Sequence, residues 1–332
     1  MNIKAINLRS LLGILFLLLL SLFGRSALAV EVPGPLIDAD WLAEHLDQVK
    51  ILDVREDLDT FTRRAVLVRK RFTGDLKLQR AGAHVPGAVL VDYLNIRADK
   101  EIDGTNVRYM LPDKTEFEKL MQSWGVNRND AIIIMSMASS NREVPLATRL
   151  YWQIKYFGHD NVAILDGGVV EWLLREKPAS IEVSQAKPGN WQVTEERASL
   201  LASSEDVAAA IEQADTQLVD SRNLDFYLGV NKRSYVRKKG HIPGAKVFPN
   251  ELLTRADAGE VFMDSEDLQQ MAEQLGIDTD APIITYCNSG QLASASWFVF
   301  SELLGNKKVK LYDGSMHQWS LEKRPVVKMK ME

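Results

Sequence analysis

Cys287 is the single cysteine of this 332-residue chain, and it stands where the apolar run Ile283-Ile284-Thr285-Tyr286 breaks into the polar stretch Asn288-Ser289-Gly290. A thiol just past a strand end suits nucleophilic sulfur chemistry, because ligands gather outside the carboxyl ends of parallel strands. The alternative for a free cysteine is a small buried residue that packs and does not react. The neighbouring residues point to reaction. A helix starting near Leu292 or Ala293 would turn its N-terminus, with partial positive charge and free N–H groups, back on the loop. Gly290 lets the backbone curl so that successive N–H groups converge on the sulfur as an anion nest, which favours thiolate.

Other chemistries fit less well. A cysteine phosphatase loop needs arginine six positions after the cysteine to grip phosphate bidentately, and that position is Ala293. One cysteine without a histidine cluster supplies no metal ligand set, so neither metal nor other cofactor is expected. His84 and His241 each open a His-x-Pro-Gly-Ala segment. Pro fixes φ and Gly supplies positive φ there, so both histidines read as turn residues rather than acid–base groups. His317, beside the Asp313-Gly314 pair, is a further residue that could approach the site.

The elements that must position Cys287 occur twice. Ile51–Arg55 is echoed by Leu218–Arg222, His84–Ala88 by His241–Ala245, Ile132–Ser136 by Pro282–Cys287, and Leu165–Gly168 with Trp172 by Tyr312–Ser315 with Trp319. Identical order, with the same Asp-Gly to Trp spacing, indicates a tandem duplication. In the second copy Thr216–Asp220, Pro282–Tyr286 and Val309–Tyr312 read as buried strands, and Ser204–Glu212, Ser265–Leu275 and Leu292–Leu304 as helices. That alternation predicts an α/β fold, each copy a mostly parallel sheet with helices on both faces. Domains are expected over residues 31–180 and 195–328, joined by a linker over 181–194 that carries Ser184, Lys187, Pro188 and Gly189. Trp172 and Trp319 read as core aromatics. Ser136 takes the place of Cys287 in the first copy.

Lys4 and Arg9, the apolar run Leu11 to Phe23 and Ala27-Leu28-Ala29 read as a cleaved secretory leader over residues 1–29. The run is short of the roughly 20 residues of a spanning helix, so no stable membrane anchor is expected after cleavage. The expected location is the periplasm or outside the cell. One cysteine cannot make an internal disulfide, so in an oxidising compartment it is either buried or used. The formal charge of −5 speaks against nucleic acid as a partner. Two basic clusters, Arg63 to Arg71 and Lys232 to Lys239, read as solvated loops or as a positive funnel for a small anion.

Taken together, these segments resemble the tandem-domain rhodanese family, which includes thiosulfate and 3-mercaptopyruvate sulfurtransferases. The resemblance runs from about Leu36 to Val326 and is carried by Asp53-Val54-Arg55, Ala83–Ala88, Met110-Leu111-Pro112, Tyr156–Gly168 with Trp172, Asp220-Ser221-Arg222, Gly240–Ala245, Cys287–Gly290 and Asp313-Gly314. It implies that the second domain is catalytic and the first a copy without the nucleophile. It also implies a two-step exchange: Cys287 takes sulfur from a small donor as a persulfide, and a thiol or cyanide acceptor removes it. Main-chain N–H groups of Asn288, Ser289, Gly290, Gln291 and Leu292 would cradle the charge.

Two departures bear on the donor. Thiosulfate-type members resemble Cys-Arg-Lys-Gly in the loop and mercaptopyruvate-type members Cys-Gly-Ser-Gly. Here Ser289 and Gly290 match the second form, while Gln291 and Leu292 replace its following Val-Thr. The arginine that usually precedes an aromatic residue after Asp-x-Arg is Phe226 here. Arg233 or Arg237 could supply the lost charge. Arg222 is a further donor-binding candidate, although an Asp220–Arg222 pair also suits a purely structural tie. Phe226 leaves open a non-enzymatic persulfide-binding or protein-interaction module.

Overall fold

The computed structural model describes residues 30–256 and 259–329. The leader expected over residues 1–29 lies outside the described residues. In chain order the first repeat comprises β1 (Leu36–Ile37), α1 (Ala39–Glu44), β2 (Val49–Arg55), a hairpin of β3 (Val66–Arg69) and β4 (Leu76–Arg80), β5 (Val89–Asp92), a hairpin of β6 (Ala98–Ile102) and β7 (Thr105–Met110), α2 (Lys114–Ser123), β8 (Ala131–Met135), α3 (Val144–Tyr156), β9 (Val162–Leu165) and α4 (Gly168–Leu174). The second comprises β10 (Leu201–Ala202), α5 (Ser204–Gln213), β11 (Gln217–Asp220), α6 (Leu224–Tyr227), β12 (Lys246–Val247), a hairpin of β13 (Thr254–Ala256) and β14 (Glu260–Phe262), α7 (Ser265–Gln274), β15 (Ile283–Tyr286), α8 (Gln291–Phe298), β16 (Val309–Tyr312) and α9 (Ser315–Leu321).

Each repeat is a five-stranded sheet, ordered β1-β9-β8-β2-β5 and β10-β16-β15-β11-β12, and every pairing within the two is parallel. Strand β8 shows why the helices lie on both faces. Its Ala-Ile-Ile-Ile-Met run is buried throughout, and alternate side chains enter opposite cores. Ile132 and Ile134 pack with α2 and α3, whereas Ile133 and Met135 pack with α1 and α4. In β15, Ile283 likewise faces the core of α7 and α8, and Ile284 and Tyr286 face that of α5 and α9. Burying each such aliphatic side chain contributes about 1.5–3 kcal/mol. Helices α2 and α5 begin on capping boxes, Asp113 with Glu116 and Ser203 with Asp206.

One core runs through both repeats. Helix α3 lies at their interface, and every one of its residues except Lys155 is buried. Polar side chains of this helix reach into the second repeat: Thr148 Oγ1 lies 2.8 Å from Ser294 Oγ on α8, and Arg149 pairs with Asp313 at 2.5 Å. The hairpins dock reciprocally. Leu111, just after β7, donates its N–H to Asp313 of the second repeat at 2.6 Å, and Phe262 at the end of β14 donates to Asp166 of the first at 3.0 Å.

Residues 181–194 form neither helix nor strand. The segment is nonetheless a packed strap rather than a free connector: Trp191 is buried against Phe117, its N–H donates to Val126 O at 3.1 Å, and Gly189 N–H donates to Gln122 O at 2.8 Å. A second difference concerns the helix expected over Leu292–Leu304. It starts at Gln291 and widens into a π turn over Val299–Leu303, where Glu302 accepts a hydrogen bond from Tyr151 across the interface at 2.9 Å. Among the described residues no helix is long and apolar enough to cross a membrane.

Candidate active site

Register makes the two repeats comparable residue by residue. Asp53 lies beside Met135 and Asp220 beside Tyr286, so Ser136 and Cys287 are equivalent next residues. Their carbonyls are also used alike: Val169 N–H donates to Ser136 O and Met316 N–H to Cys287 O. It follows that Ala138 corresponds to Ser289 and Gly168 to Ser315.

Cys287 sits at the base of a cleft of about 650 Å³ between the repeats. The first repeat contributes Tyr93, Arg97, Tyr109 and Arg142 to its wall, and the second Phe226, Arg233 and Tyr235. Asn288, Ser289, Gln291 and Leu292 line it as well, which brings together all the expected loop residues except Gly290. Gly290 caps α8 at φ 73°, and a Cβ there would stand 2.4 Å from Asp313 Oδ1 and 2.6 Å from Arg149 Nη1. Only glycine satisfies both the left-handed backbone and the ion pair pressed against it.

The cradle differs from expectation at this residue. Gly290 N–H donates to Ser315 Oγ at 3.1 Å, as does Cys287 N–H at 3.0 Å, while Ser315 donates to Tyr312 O at 2.8 Å. Gly290 thus shapes the loop and does not offer its N–H to sulfur. The amides of Asn288, Ser289, Gln291 and Leu292 remain as the candidate donors.

Arg222 is corrected to a structural role. It is buried, forks onto Asp220 and donates from Nη2 to Gly240 O at 2.9 Å. Arg55 in the repeat without cysteine makes the same fork onto Asp53 and reaches Ala83 O at 2.9 Å. A contact present in both copies does not distinguish the one with the thiol. Arg237 does not line the cleft, and its main-chain N–H donates to Ser320 Oγ. Arg233 does, with its guanidinium 5.7 Å from the centre of the Phe226 ring. The residue that replaces the expected arginine is thus a platform for another one.

The remaining candidates fall outside the cleft. His84 and His241 stack on Phe61 and Tyr227, and their Nδ1 atoms lie 2.8 and 2.7 Å from those residues' carbonyls. Trp172 and Trp319 are buried, each donating from Nε1 to the carbonyl of a downstream proline, Pro178 and Pro325. His317 lies beneath the loop with Nδ1 2.9 Å from Tyr235 O, and burial lowers its pKa. The basic cluster Arg63 to Arg71 is absent from the cleft wall, and in the second cluster Lys238 and Lys239 bind main-chain carbonyls.

One residue was not anticipated. Arg97, between β5 and β6, donates from Nη2 to Ser289 O at 2.7 Å and to Ser289 Oγ at 2.9 Å. Tyr235 Oη lies 3.3 Å from the same Oγ. The sequence signal was an arginine in the short connection between edge strand β5 and the β6–β7 hairpin of the copy without cysteine, where no motif marks it.

A duplicated parallel α/β domain with one thiol at a strand's carboxyl end defines the class of tandem sulfurtransferases. The chain belongs to the rhodanese-like domain family, whose model matches residues 38–175 and 203–322. It is 31% identical over 298 residues to the sulfur carrier protein TtuD of Thermus thermophilus, covering 86% of this chain and 94% of that one. It is 30% identical over 292 residues to a provisionally named thiosulfate sulfurtransferase of Saccharopolyspora erythraea, covering 86% and 92%. Among solved structures, SseA of Escherichia coli, a 3-mercaptopyruvate sulfurtransferase, superposes with a TM-score of 0.67 at 26% identity, over 85% of this chain and 98% of its own.

Proposed function

We propose that this protein moves a sulfur atom from a small anionic donor, thiosulfate or 3-mercaptopyruvate, to a thiol or cyanide, carrying it as the sulfane sulfur of a persulfide on Cys287. The observation that carries the reading is the single thiol at the base of a cleft whose wall includes Arg97, Arg142 and Arg233. The thiolate attacks the outer sulfur of thiosulfate, an S–S bond forms, and the S–S bond of the donor breaks with sulfite leaving on the electron pair. With 3-mercaptopyruvate the C–S bond breaks instead, and the departing enolate takes up the thiol's proton to give pyruvate. The acceptor then attacks the outer sulfur of the persulfide and Cys287 leaves as thiolate, so each half-step is a displacement at sulfur.

A second reading, a carrier that passes its persulfide only to a protein partner, is favoured by Phe226 at the usual arginine position and by the relative named as a sulfur carrier protein. Intact mass after incubation with each donor, followed by sulfur release to cyanide, separates the two. A gain of one sulfur with turnover supports the enzyme, a gain without turnover supports the carrier, and no gain overturns both. Cys287→Ser abolishes the gain, whereas Ser136→Ala leaves it. Export to the periplasm or beyond remains a proposal from residues 1–29. N-terminal sequencing of protein from its host checks it, with a start near Val30 or Glu31 expected and an intact leader sinking it.

A further inference from the structure

We infer that Arg97, supplied by the repeat that has no cysteine, is the standing counter-charge to the anion at Cys287 and a positioning residue for its loop. The inference rests on Cys287 being the reactive sulfur.

The guanidinium is held tightly but not neutralised. Besides its two bonds to Ser289, it donates from Nη1 to Tyr93 Oη at 3.1 Å and lies 5.4 and 4.6 Å from the ring centres of Tyr93 and Tyr109. Its Nε is buried without an acceptor. Burial, and next the charge of Arg149, lower its pKa. Among the described residues no carboxylate forms an ion pair with it. A cation so desolvated requires an anion nearby.

The other charges around the sulfur cancel. Arg149 is paired with Asp313 and Arg222 with Asp220, each at 2.5 Å. Arg108, beyond Tyr109, is 3.7 Å from Asp99. On the cleft wall the two cations Arg142 and Arg233 are matched in number by the two carboxylates Glu56 and Glu251. Burial disfavours the charged form of His317 and keeps the protons on Tyr235 and Tyr286. Arg97 is the charge left over. A thiolate and a persulfide each carry one negative charge, so one fixed cation serves both halves of the cycle.

The first repeat acts as an internal control. Ala138, the counterpart of Ser289, has its carbonyl met by the uncharged N–H of Glu260 at 3.0 Å. Where there is no sulfur the opposite repeat supplies an amide, and where there is sulfur it supplies a guanidinium.

The test is iodoacetamide alkylation of Cys287 in the full chain, which needs no donor and is independent of whether the protein turns sulfur over. For each variant the rate is followed from about pH 4 to about pH 10, and the rate at one pH low on the parent's rising limb is divided by the alkaline plateau, which cancels changes in access; loss of one adjacent positive charge lowers that ratio about tenfold. Arg97→Met and Arg97→Gln are expected to show that loss, and Arg97→Lys to stay within about threefold of the parent. Gln retains N–H donors for Ser289, so it separates charge from hydrogen bonding and stands in should the Met variant not fold. A Gln ratio equal to the parent's, or a Lys ratio as low as that of Gln, overturns the inference.

Discussion

The hydroxyl of Ser315 accepts the main-chain N–H of Cys287 at 3.0 Å, tying the candidate nucleophile to the end of the neighbouring strand β16. Ser315 adopts φ 49°, a left-handed conformation that its counterpart Gly168 adopts at φ 55° without a Cβ. The second repeat therefore carries backbone strain in order to keep an oxygen there.

Replacing Ser315 separates the strain from the hydroxyl. Ser315→Ala leaves two buried N–H groups without their acceptor, at a cost of about 1–3 kcal/mol each. Ser315→Gly also loses the oxygen but relieves about 1 kcal/mol of strain. Both variants should lower sulfur uptake at least about tenfold, with the Gly variant melting above the Ala variant. Thermal unfolding and mass-detected persulfide formation check this, and an active Gly variant would show the hydroxyl to be dispensable.

Arg233 depends on Phe226 for its place in the cleft. An exposed cation–π contact contributes about 0.5–1 kcal/mol, so Phe226→Leu should raise KM for an anionic donor by roughly two- to fivefold with kcat little changed. Arg233→Gln should raise it further. In the double variant the two effects should not add, because the ring acts through the guanidinium. Additive effects in steady-state kinetics would place the two residues on separate tasks.

Asp166 is the counterpart of Asp313 without the Arg149 ion pair. Burial raises its pKa from 3.8 to about 6, against the lowering effect of N–H groups from Phe262 and Gly167. The folded protein thus holds this proton to higher pH than the unfolded chain, and the contribution to stability falls as pH rises from about 4 to about 6. Asp166→Asn should flatten that fall and stabilise the protein near neutral pH by up to roughly 3 kcal/mol. Urea unfolding across this window measures it, and a variant whose stability falls as steeply as the parent's contradicts the assignment.

The legibility of the chain followed from how local each determinant is. Ile283–Tyr286 and Val309–Tyr312 could be read as strands because parallel strands covered on both faces are mostly apolar. Cys287 was legible because a thiol after such a run is chemically distinct. Arg97 was not, since its meaning depends on Ser289, 192 residues away. The donor role suggested for Arg222 arose from its charge, which its own fork spends on Asp220, and the identical fork of Arg55 on Asp53 shows the tie to be common to both repeats. The strap at 181–194 read as a linker because its Pro and Gly are local signals, whereas the contact of Trp191 with Phe117 is not.

The reciprocal docking of the hairpins enlarges the region in which inherited substitutions can silence the protein. Leu111 closes on Asp313, and Phe262 on Asp166. A copy without a thiol of its own is therefore not released to drift. Variation between β5 and α2 falls on the partner repeat's sulfur loop as directly as variation beside Cys287, and neither half can be trimmed, exchanged or inherited alone without opening a wall of the other.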